Sequence, residues 1–265
     1  MGWSVIRKKK GLTLVELLIA LVLSSILIAA LYRIFISQQK IYAVQNQVVD
    51  MQQNVRIAIG QMTREIRMAG YGGNILDIFN NINGFSNIIT PADNSITILL
   101  ADQVGVLKQT TTKGVNQLKV TNASIFNTDK KKYLCLNGLN NYLIQGVITD
   151  TITLTASLAE DHVINEPVYL VKAITYSLGL SGGKIALRRN ENTGGGAQPL
   201  AENMESLQFT YFDSDGNMTA NPPDIRMIGV KVTAKTNMPD PDYKGKDGYR
   251  RRILSSNIKV RNMGL

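Results

Sequence analysis

The chain has 265 residues, of which 44% are hydrophobic and 18% charged, so it is long enough for one sizeable globular domain, or for a domain with an extended element. Its single His and single Cys are too few for a zinc site, a haem site, a Cys–His nucleophile pair or an internal disulfide, and no cofactor is predicted. Four of the 29 basic residues precede the first apolar run, and the other 25 barely exceed the 20 acidic residues, so the rest of the chain is only mildly basic. The sequence has no basic run with interleaved aromatic residues that would support nucleic acid as a partner.

Residues 12–32 form an apolar run whose only charged side chain is Glu16. The run meets the length of about 20 residues that a helix needs to cross a bilayer. The basic residues 7–10 precede it, and only Arg33 and Lys40 follow closely, which predicts a cytoplasmic N-terminus and an exported remainder. A cleaved secretory signal is the alternative, but the run is long for one and a helical pattern continues beyond it.

Glu16 is the informative residue of this run, because a carboxylate inside a membrane helix is costly and needs a partner. Two interpretations remain open from the residues alone. The side chain could extend to the nearby cytoplasmic interface, or it could pair with a positive charge that another subunit supplies.

The segment Lys-Lys-Lys-Gly-Leu-Thr-Leu-Val-Glu at residues 8–16 resembles the class III signal of type IV prepilins and type II secretion pseudopilins. The resemblance implies that a prepilin peptidase cuts between Gly11 and Leu12 and N-methylates Leu12, although the family most often has Phe at that place. It also implies an assembly role for Glu16, with Thr13 at fixed spacing, in which Glu16 pairs with the terminal amine of a neighbouring subunit. An ammonium and a carboxylate in a low dielectric attract each other strongly, which agrees with this role.

Beyond residue 32 the apolar positions narrow to a stripe with helical 3–4 spacing, which predicts that the same helix continues in amphipathic form. Only Glu65 interrupts the stripe, and Gly70 is the predicted stop of a helix of about 57 residues. A free-standing coiled coil is less favoured, because strand-like sequence that needs covering follows directly. Major pilins usually carry a helix-breaking Pro in this segment, and its absence here favours a minor pilin or a pseudopilin. The stripe comprises Ile41, Val44, Val48, Met51, Val55, Ala58, Met62 and Ala69.

The remainder of the chain is predicted to be β-structure with loops. Residues 181–183 are predicted as a hairpin turn, 194–196 as a loop and 77–92 as a loop after the helix. The predicted fold class is therefore α+β, with a long N-terminal helix packed against an antiparallel β-sheet head. The candidate strands are 95–100, 117–121, 147–154, 168–176, 184–189, 206–212, 225–234 and 253–261.

The later part of the chain has a recognisable order of residues. Ile174-x-Tyr176 is followed by a Gly turn and Leu187-x-Arg189, then by residues 204–213, and the chain closes with residues 251–262. This order resembles the PilW minor pilins and the related J-type pseudopilins, and the segment 251–262 near the C-terminus resembles PilW in particular. The resemblance implies the type IV pilin fold.

Asp213, Asp215, Asn217 and Asp224 have the spacing of a calcium loop. A calcium loop of the EF-hand type needs Gly at its sixth place and Glu at its twelfth, and the sequence has neither, so a simple turn is favoured over a weak calcium candidate.

Three other features are interpreted as structural. His162 lies in a polar segment without a nucleophile or metal partner and is predicted to be a solvated surface residue. Cys135 is predicted to be a small core residue. The basic run 250–252 is predicted to be mainly a solvated face, with contact to a partner pilin, an anionic surface or DNA as the alternative.

Together these patterns predict a non-enzymatic minor pilin of the PilW type, which primes pilus assembly in a tip complex and supports motility, adhesion or DNA uptake. The predicted parts are a leader (1–11), a membrane and filament-core helix (12–36), its amphipathic half (37–70) and a head (71–265). Its expected partners are other minor pilins, the major pilin, prepilin peptidase, the inner-membrane assembly platform and the membrane itself. The head is predicted to be periplasmic, then at the cell surface. A J-type pseudopilin and a membrane-tethered adhesin are the alternatives.

Overall fold

A computed structural model describes residue 11, residues 13–245 and residues 247–263. The chain divides into two compact units, Met1–Val49 and Asp50–Leu265. Helix α1 (Leu14–Arg67) contributes to both, and the second unit adds the short helix α2 (Ile75–Phe79). The strands are β1 (Ile89–Pro91), β2 (Ser95–Val106), β3 (Gln117–Lys119), β4 (Tyr133–Leu136), β5 (Asn140–Ile148), β6 (Thr151–Leu154), β7 (Pro167–Ser181), β8 (Lys184–Asn190), β9 (Ala197–Glu202), β10 (Met204–Phe212), β11 (Met227–Lys235) and β12 (Arg251–Lys259).

In the first unit, every large apolar side chain of α1 from Leu14 to Phe35 is at least half exposed. These 22 residues span about 33 Å at 1.5 Å per residue, which matches the roughly 30 Å hydrocarbon core of a bilayer. Their two serine hydroxyl groups bond within the helix, since Ser24 donates to the Ala20 carbonyl and Ser25 to the Val22 carbonyl, both at 2.7 Å. By length and composition, α1 is the one helix among the described residues that is apolar enough to cross a membrane.

In the second unit, α1 packs one face onto the β-structure, and six apolar residues of that face are buried. The predicted stripe is therefore buried from Met51 onward, while Ile41 is half exposed. The helix ends at Arg67 and turns at Gly70, as predicted. At Gly70 the backbone φ is +79° and an added Cβ would lie 2.8 Å from the Asn262 carbonyl oxygen, so this position requires glycine. The buried residues of this face are Met51, Val55, Ala58, Ile59, Met62 and Ile66.

The described strands form two antiparallel sheets, which confirms the predicted α+β class. The larger sheet has the order β1-β2-β7-β4-β5-β6-β3, with β8 pairing β7 and β9, and the smaller one has the order β10-β11-β12. Strand β7 is central: it pairs with β2 along one edge, and with β4 and then β8 along the other. The predicted turn at 181–183 closes the β7–β8 hairpin, where Ser181 faces Lys184.

Several predicted boundaries are wrong, for reasons that lie in tertiary pairing. The predicted strand 147–154 is two strands, because Thr149 has a φ of +54° and starts the turn between β5 and β6. The predicted loop 77–92 contains most of α2 and all of β1. Strands β1, β4 and β9 were not predicted. Pro91 and Pro199 lie in two of them, and Pro is tolerated in these two because they are edge strands.

The larger sheet is buried on both faces around β4 and β7. One face packs Leu134 and Val168 in a cluster with β3, β5 and β6, and the other packs Cys135 with Leu99 and Ala173. Cys135 is fully buried, which confirms it as a core residue, and its burial raises the pKa of the thiol to about 12.

Every buried apolar residue in the described part of the chain lies at or beyond Met51. We therefore expect the fragment 42–265 to be soluble, to melt cooperatively and to give a β-rich circular dichroism spectrum. The matched control is fragment 61–265, which lacks Met51, Val55 and Ala58 and should aggregate because the sheet face beneath them is uncovered. Aggregation of both fragments would contradict the expectation.

Candidate functional site

The first turn of α1 is held by two side chains that the sequence analysis assigned to assembly. Thr13 is the N-cap residue, and its Oγ1 accepts a hydrogen bond from the Glu16 amide at 3.2 Å. In return, the Glu16 Oε2 atom accepts bonds from the Thr13 amide at 2.8 Å and from the Thr13 hydroxyl at 3.0 Å. This reciprocal arrangement is a capping box, and it satisfies amide groups that the first helical turn leaves unpaired.

The capping box gives Glu16 a local partner that neither earlier interpretation included. Only its Oε2 atom is used, and its Oε1 atom has no hydrogen bond or ion pair among the residues that the structure describes. Gly11, two residues before the cap, is exposed, and no described residue lies within 4 Å of the place where its Cβ would be. Leu12, at the predicted cleavage and methylation site, lies outside the described residues.

A second polar group ties the buried face of α1 to the larger sheet. The Glu65 carboxylate accepts a 2.6 Å hydrogen bond from the Tyr176 hydroxyl and forms an ion pair with Arg189 at 2.9 Å. Tyr176 on β7 and Arg189 on β8 are directly paired across the two strands, so both reach the same carboxylate. The side chains of Glu65 and Arg189 are only 14% and 20% exposed, and that of Tyr176 is buried. Below, these three residues are called the Glu65 clamp.

A series of ion pairs extends from Arg189 of the clamp to Asp102. The Glu191 carboxylate binds Arg189 and Lys172, both at 2.8 Å, and Lys172 also binds Asp102 at 2.8 Å. Burial alone would raise the pKa of Glu191, but the hydrogen bonds from Lys172 and Arg189 outweigh burial and hold that pKa below its usual range. For Tyr176, burial and the neighbouring Glu65 charge both raise the pKa, so its hydroxyl remains a donor.

The clamp also explains why Glu65 interrupts the apolar stripe. Tyr176 and Arg189 are two of the residues on which the resemblance to PilW-type proteins rests, and sequence reasoning gave them no role. The available signal was the charged residue itself: a carboxylate at a buried stripe position needs a buried partner.

The prediction that His162 is a solvated surface residue is wrong, since it is 1% exposed. Its backbone pairs with Thr111 in an isolated β-bridge, which folds the segment inward, and its Nδ1 lies 3.0 Å from a carboxylate oxygen of Glu166. The polar appearance of the segment came from neighbours with their own roles, such as Asp161, which accepts a hydrogen bond from the Lys113 amide.

In the calcium candidate, the four residues serve two local structures. The Asp213 carboxylate accepts hydrogen bonds from the amides of Asp215 at 2.9 Å and Asn217 at 2.8 Å, and so closes a turn after β10. Asp224 lies in a separate 3-10 helix, where it accepts a hydrogen bond from Asn221. Among the described residues, no group of three or more His, Cys, Asp or Glu side chains is arranged to hold a metal ion.

The basic run 250–252 is largely used within the fold. Arg250 pairs with Asp240 at 2.7 Å, and Arg251 pairs with Glu205 at 2.7 Å. The hydrogen bond from Arg251 lowers the pKa of Glu205. Only the third arginine of the run is exposed without an ion pair among the described residues, so little of the run's charge is left for an outside partner.

Comparison with known proteins adds one finding at the N-terminus. A family model described as the prokaryotic N-terminal methylation motif matches residues 6–32. No curated protein and no solved structure matches the chain. The motif supports a type IV pilin or pseudopilin-type protein, a substrate of prepilin peptidase, and points to a structural role.

Removing one side of the Glu65 clamp should destabilise the second unit, because the remaining charge is left partly buried and unpaired. We expect Glu65→Ala to lower the free energy of unfolding by about 2–3 kcal/mol, below the full cost of breaking a completely buried pair. Replacing both partners, in Glu65→Met with Arg189→Met, should restore part of that loss. Thermal unfolding of the detergent-solubilised chain, followed by circular dichroism, measures both.

The matched control is Lys184→Ala, which breaks an exposed pair with Glu202 whose side chains are 39% and 51% exposed. Its effect should stay below about 1 kcal/mol. Equal destabilisation by Glu65→Ala and Lys184→Ala would show that the clamp contributes no more than a surface pair.

Proposed function

We propose that this chain is a minor pilin of a type IV pilus, processed between Gly11 and Leu12 and then incorporated into the filament through α1. The match of residues 6–32 to the methylation motif, at the start of an apolar helix, carries the proposal. Before assembly the N-terminus is cytoplasmic, the apolar half of α1 lies in the inner membrane and the head is periplasmic. The basic residues ahead of the apolar run support this orientation.

The uninterrupted helix supports a minor subunit rather than the main filament subunit. α1 runs for 54 residues from Leu14 to Arg67 without a Pro. The features that resemble PilW-type proteins support the same choice, and two of them, Tyr176 and Arg189, are the sheet partners of the Glu65 clamp. The proposed role is to prime assembly together with other minor pilins, and motility, adhesion or DNA uptake then belong to the whole pilus.

A J-type pseudopilin of a type II secretion system is the second candidate, because the order of residues between 174 and 262 resembles both PilW-type minor pilins and J-type pseudopilins. The neighbouring genes distinguish them: genes for other minor pilins favour the pilus, and genes for a secretin and a secretion ATPase favour the secretion system.

In the filament we propose that Glu16 binds the N-methylated amine of a neighbouring subunit through its Oε1 atom. The capping box uses only Oε2, so one carboxylate can serve the helix of its own subunit and a neighbour at the same time. The exposed apolar side chains from Leu14 to Phe35 then pack against the equivalent helices of other subunits.

Processing is tested on protein extracted from membranes. The mature chain should begin with N-methyl-Leu12, as measured by intact mass and N-terminal sequencing, and a strain without prepilin peptidase should retain residues 1–11. A mature start beyond residue 25 would indicate an ordinary signal peptide and overturn the proposal.

Three variants separate charge pairing from helix capping at Glu16. Glu16→Gln keeps a side chain that can complete the capping box but removes the charge, whereas Thr13→Ala removes the cap and keeps the charge. If Glu16 binds an ammonium, Glu16→Gln and Glu16→Ala should both be processed and inserted but absent from pili, because the ammonium loses its counter-charge. Thr13→Ala should still be incorporated.

The measurement complements a deletion strain with each variant and compares membrane-fraction protein, processed mass and sheared surface pili. Normal amounts of the Glu16→Gln subunit in sheared pili would refute the charge pairing. Loss of Thr13→Ala alone would identify capping as the essential role.

A further inference from the structure

A polar cavity in the second unit belongs to none of the features described so far. It has a volume of about 450 Å³ and is formed by three loops: the one after α2, the one before β4 and the one between β8 and β9. This volume lies within the range of about 300–1,000 Å³ that is typical of small-molecule sites.

Hydrogen bonds between the loops build the wall of this cavity. Asn83 donates its side-chain amide to the Lys130 carbonyl at 3.0 Å, and its backbone amide lies 3.4 Å from the Tyr133 hydroxyl. Asn192, which has a φ of +55°, donates to the Thr175 hydroxyl at 2.9 Å and to the Ala173 carbonyl at 3.1 Å. The loop after α2 is therefore anchored to the loop before β4, and the loop between β8 and β9 is anchored to the central strand β7.

The cavity contains charged side chains that form no ion pair among the described residues, and the Lys132 ammonium lies 5.7 Å from the centre of the Tyr133 ring. Among the described residues, neither Lys130 nor Lys132 has a carboxylate within ion-pair distance, and the carboxylate of Asp129 has no basic partner. At Gly194 the lining is bare backbone because glycine has no side chain, and no described residue lies within 4 Å of the place where a Cβ would be. The side-chain oxygen Oδ1 of Asn190 accepts a hydrogen bond from the backbone amide of Asn192, and the side-chain NH₂ group of Asn190 has no partner among the described residues.

The polar and charged groups that line the cavity indicate a class of ligand. Two ammonium groups suit one acidic group, while a carboxylate, side-chain amides and bare backbone suit several hydroxyl groups. Asp129 disfavours a polyanion such as nucleic acid. Tyr133, the only aromatic residue among the described residues of the lining, is buried and offers no stacking platform for bases. The cavity is also far larger than an inorganic phosphate.

We propose that this cavity binds an acidic saccharide, with Lys130 and Lys132 pairing its carboxylate and Asp129 and Asn190 hydrogen-bonding its hydroxyl groups. The site lies within the second unit and does not depend on the proposed role in a pilus. It would give the head a ligand of its own, whichever filament or membrane carries it.

The test is isothermal titration calorimetry of the full chain in detergent, with galacturonic acid, which carries one carboxylate, as probe and galactose and inorganic phosphate as controls. We expect saturable binding of galacturonic acid and no measurable binding of galactose or phosphate. The double variant Lys130→Ala with Lys132→Ala should raise Kd by about tenfold or more, since two charge-assisted hydrogen bonds are lost. Lys113→Ala, an exposed lysine outside the cavity, is the matched control and should leave Kd unchanged.

Asp129→Asn adds a second, independent readout. It removes a negative charge near the acidic group but keeps a hydrogen-bonding side chain, so it should bind the probe at least as tightly as the parent chain. Absence of probe binding, equal binding of phosphate, or an unchanged Kd in the double lysine variant would each overturn the proposal. Circular dichroism of each variant establishes that a loss of binding is not a loss of fold.

Discussion

A single carboxylate on the buried face of α1 connects the helix to the sheet that it covers. Glu65 binds Tyr176 and Arg189, which are paired across the β7–β8 hairpin, and Arg189 also forms an ion pair with Glu191. An apolar face alone would allow the helix to slide or rotate on the sheet at little cost, because hydrophobic contact is non-directional. A partly buried ion pair with a tyrosine hydroxyl is directional, so the clamp favours the one register of the helix on β7 and β8 that brings all three groups together.

The same helix serves a different requirement at its beginning. In an apolar environment the unpaired amides of the first turn have no water to bind, and the capping box of Thr13 and Glu16 satisfies part of that need within the chain. A carboxylate has two oxygen atoms, and only one is used here. The capping role is therefore compatible with pairing between subunits: Glu16 can stabilise its own helix and still accept an ammonium from elsewhere.

The polar cavity depends on loop geometry in the same way that the clamp depends on pairing. Asn83 and Asn192 both adopt positive φ, a conformation that Asn tolerates better than most residues. The side-chain amide of Asn83 holds the loop before β4, and that of Asn192 holds its own loop against strand β7. Lys130 and Lys132 line the cavity that these loops form, and Lys130 is also exposed to solvent. Charged side chains that form no ion pair among the described residues are concentrated there, and this distinguishes the cavity from the internally paired run 250–252.

Local patterns in the sequence were enough to predict the long helix, its apolar half, which is long enough to cross a membrane, the end of the helix before Gly70 and the α+β class, because these depend on periodicity, length and backbone freedom. It also identified the processing motif, since that signal is a contiguous stretch of residues. Tertiary structure decided what depends on partners far along the chain: the edge strands β1 and β9, the inward position of His162, and the clamp between Glu65 and Arg189, which are 124 residues apart. The physical reason is that a side chain's burial and charge pairing depend on which distant strands pack beside it, and no local pattern of residues contains that information.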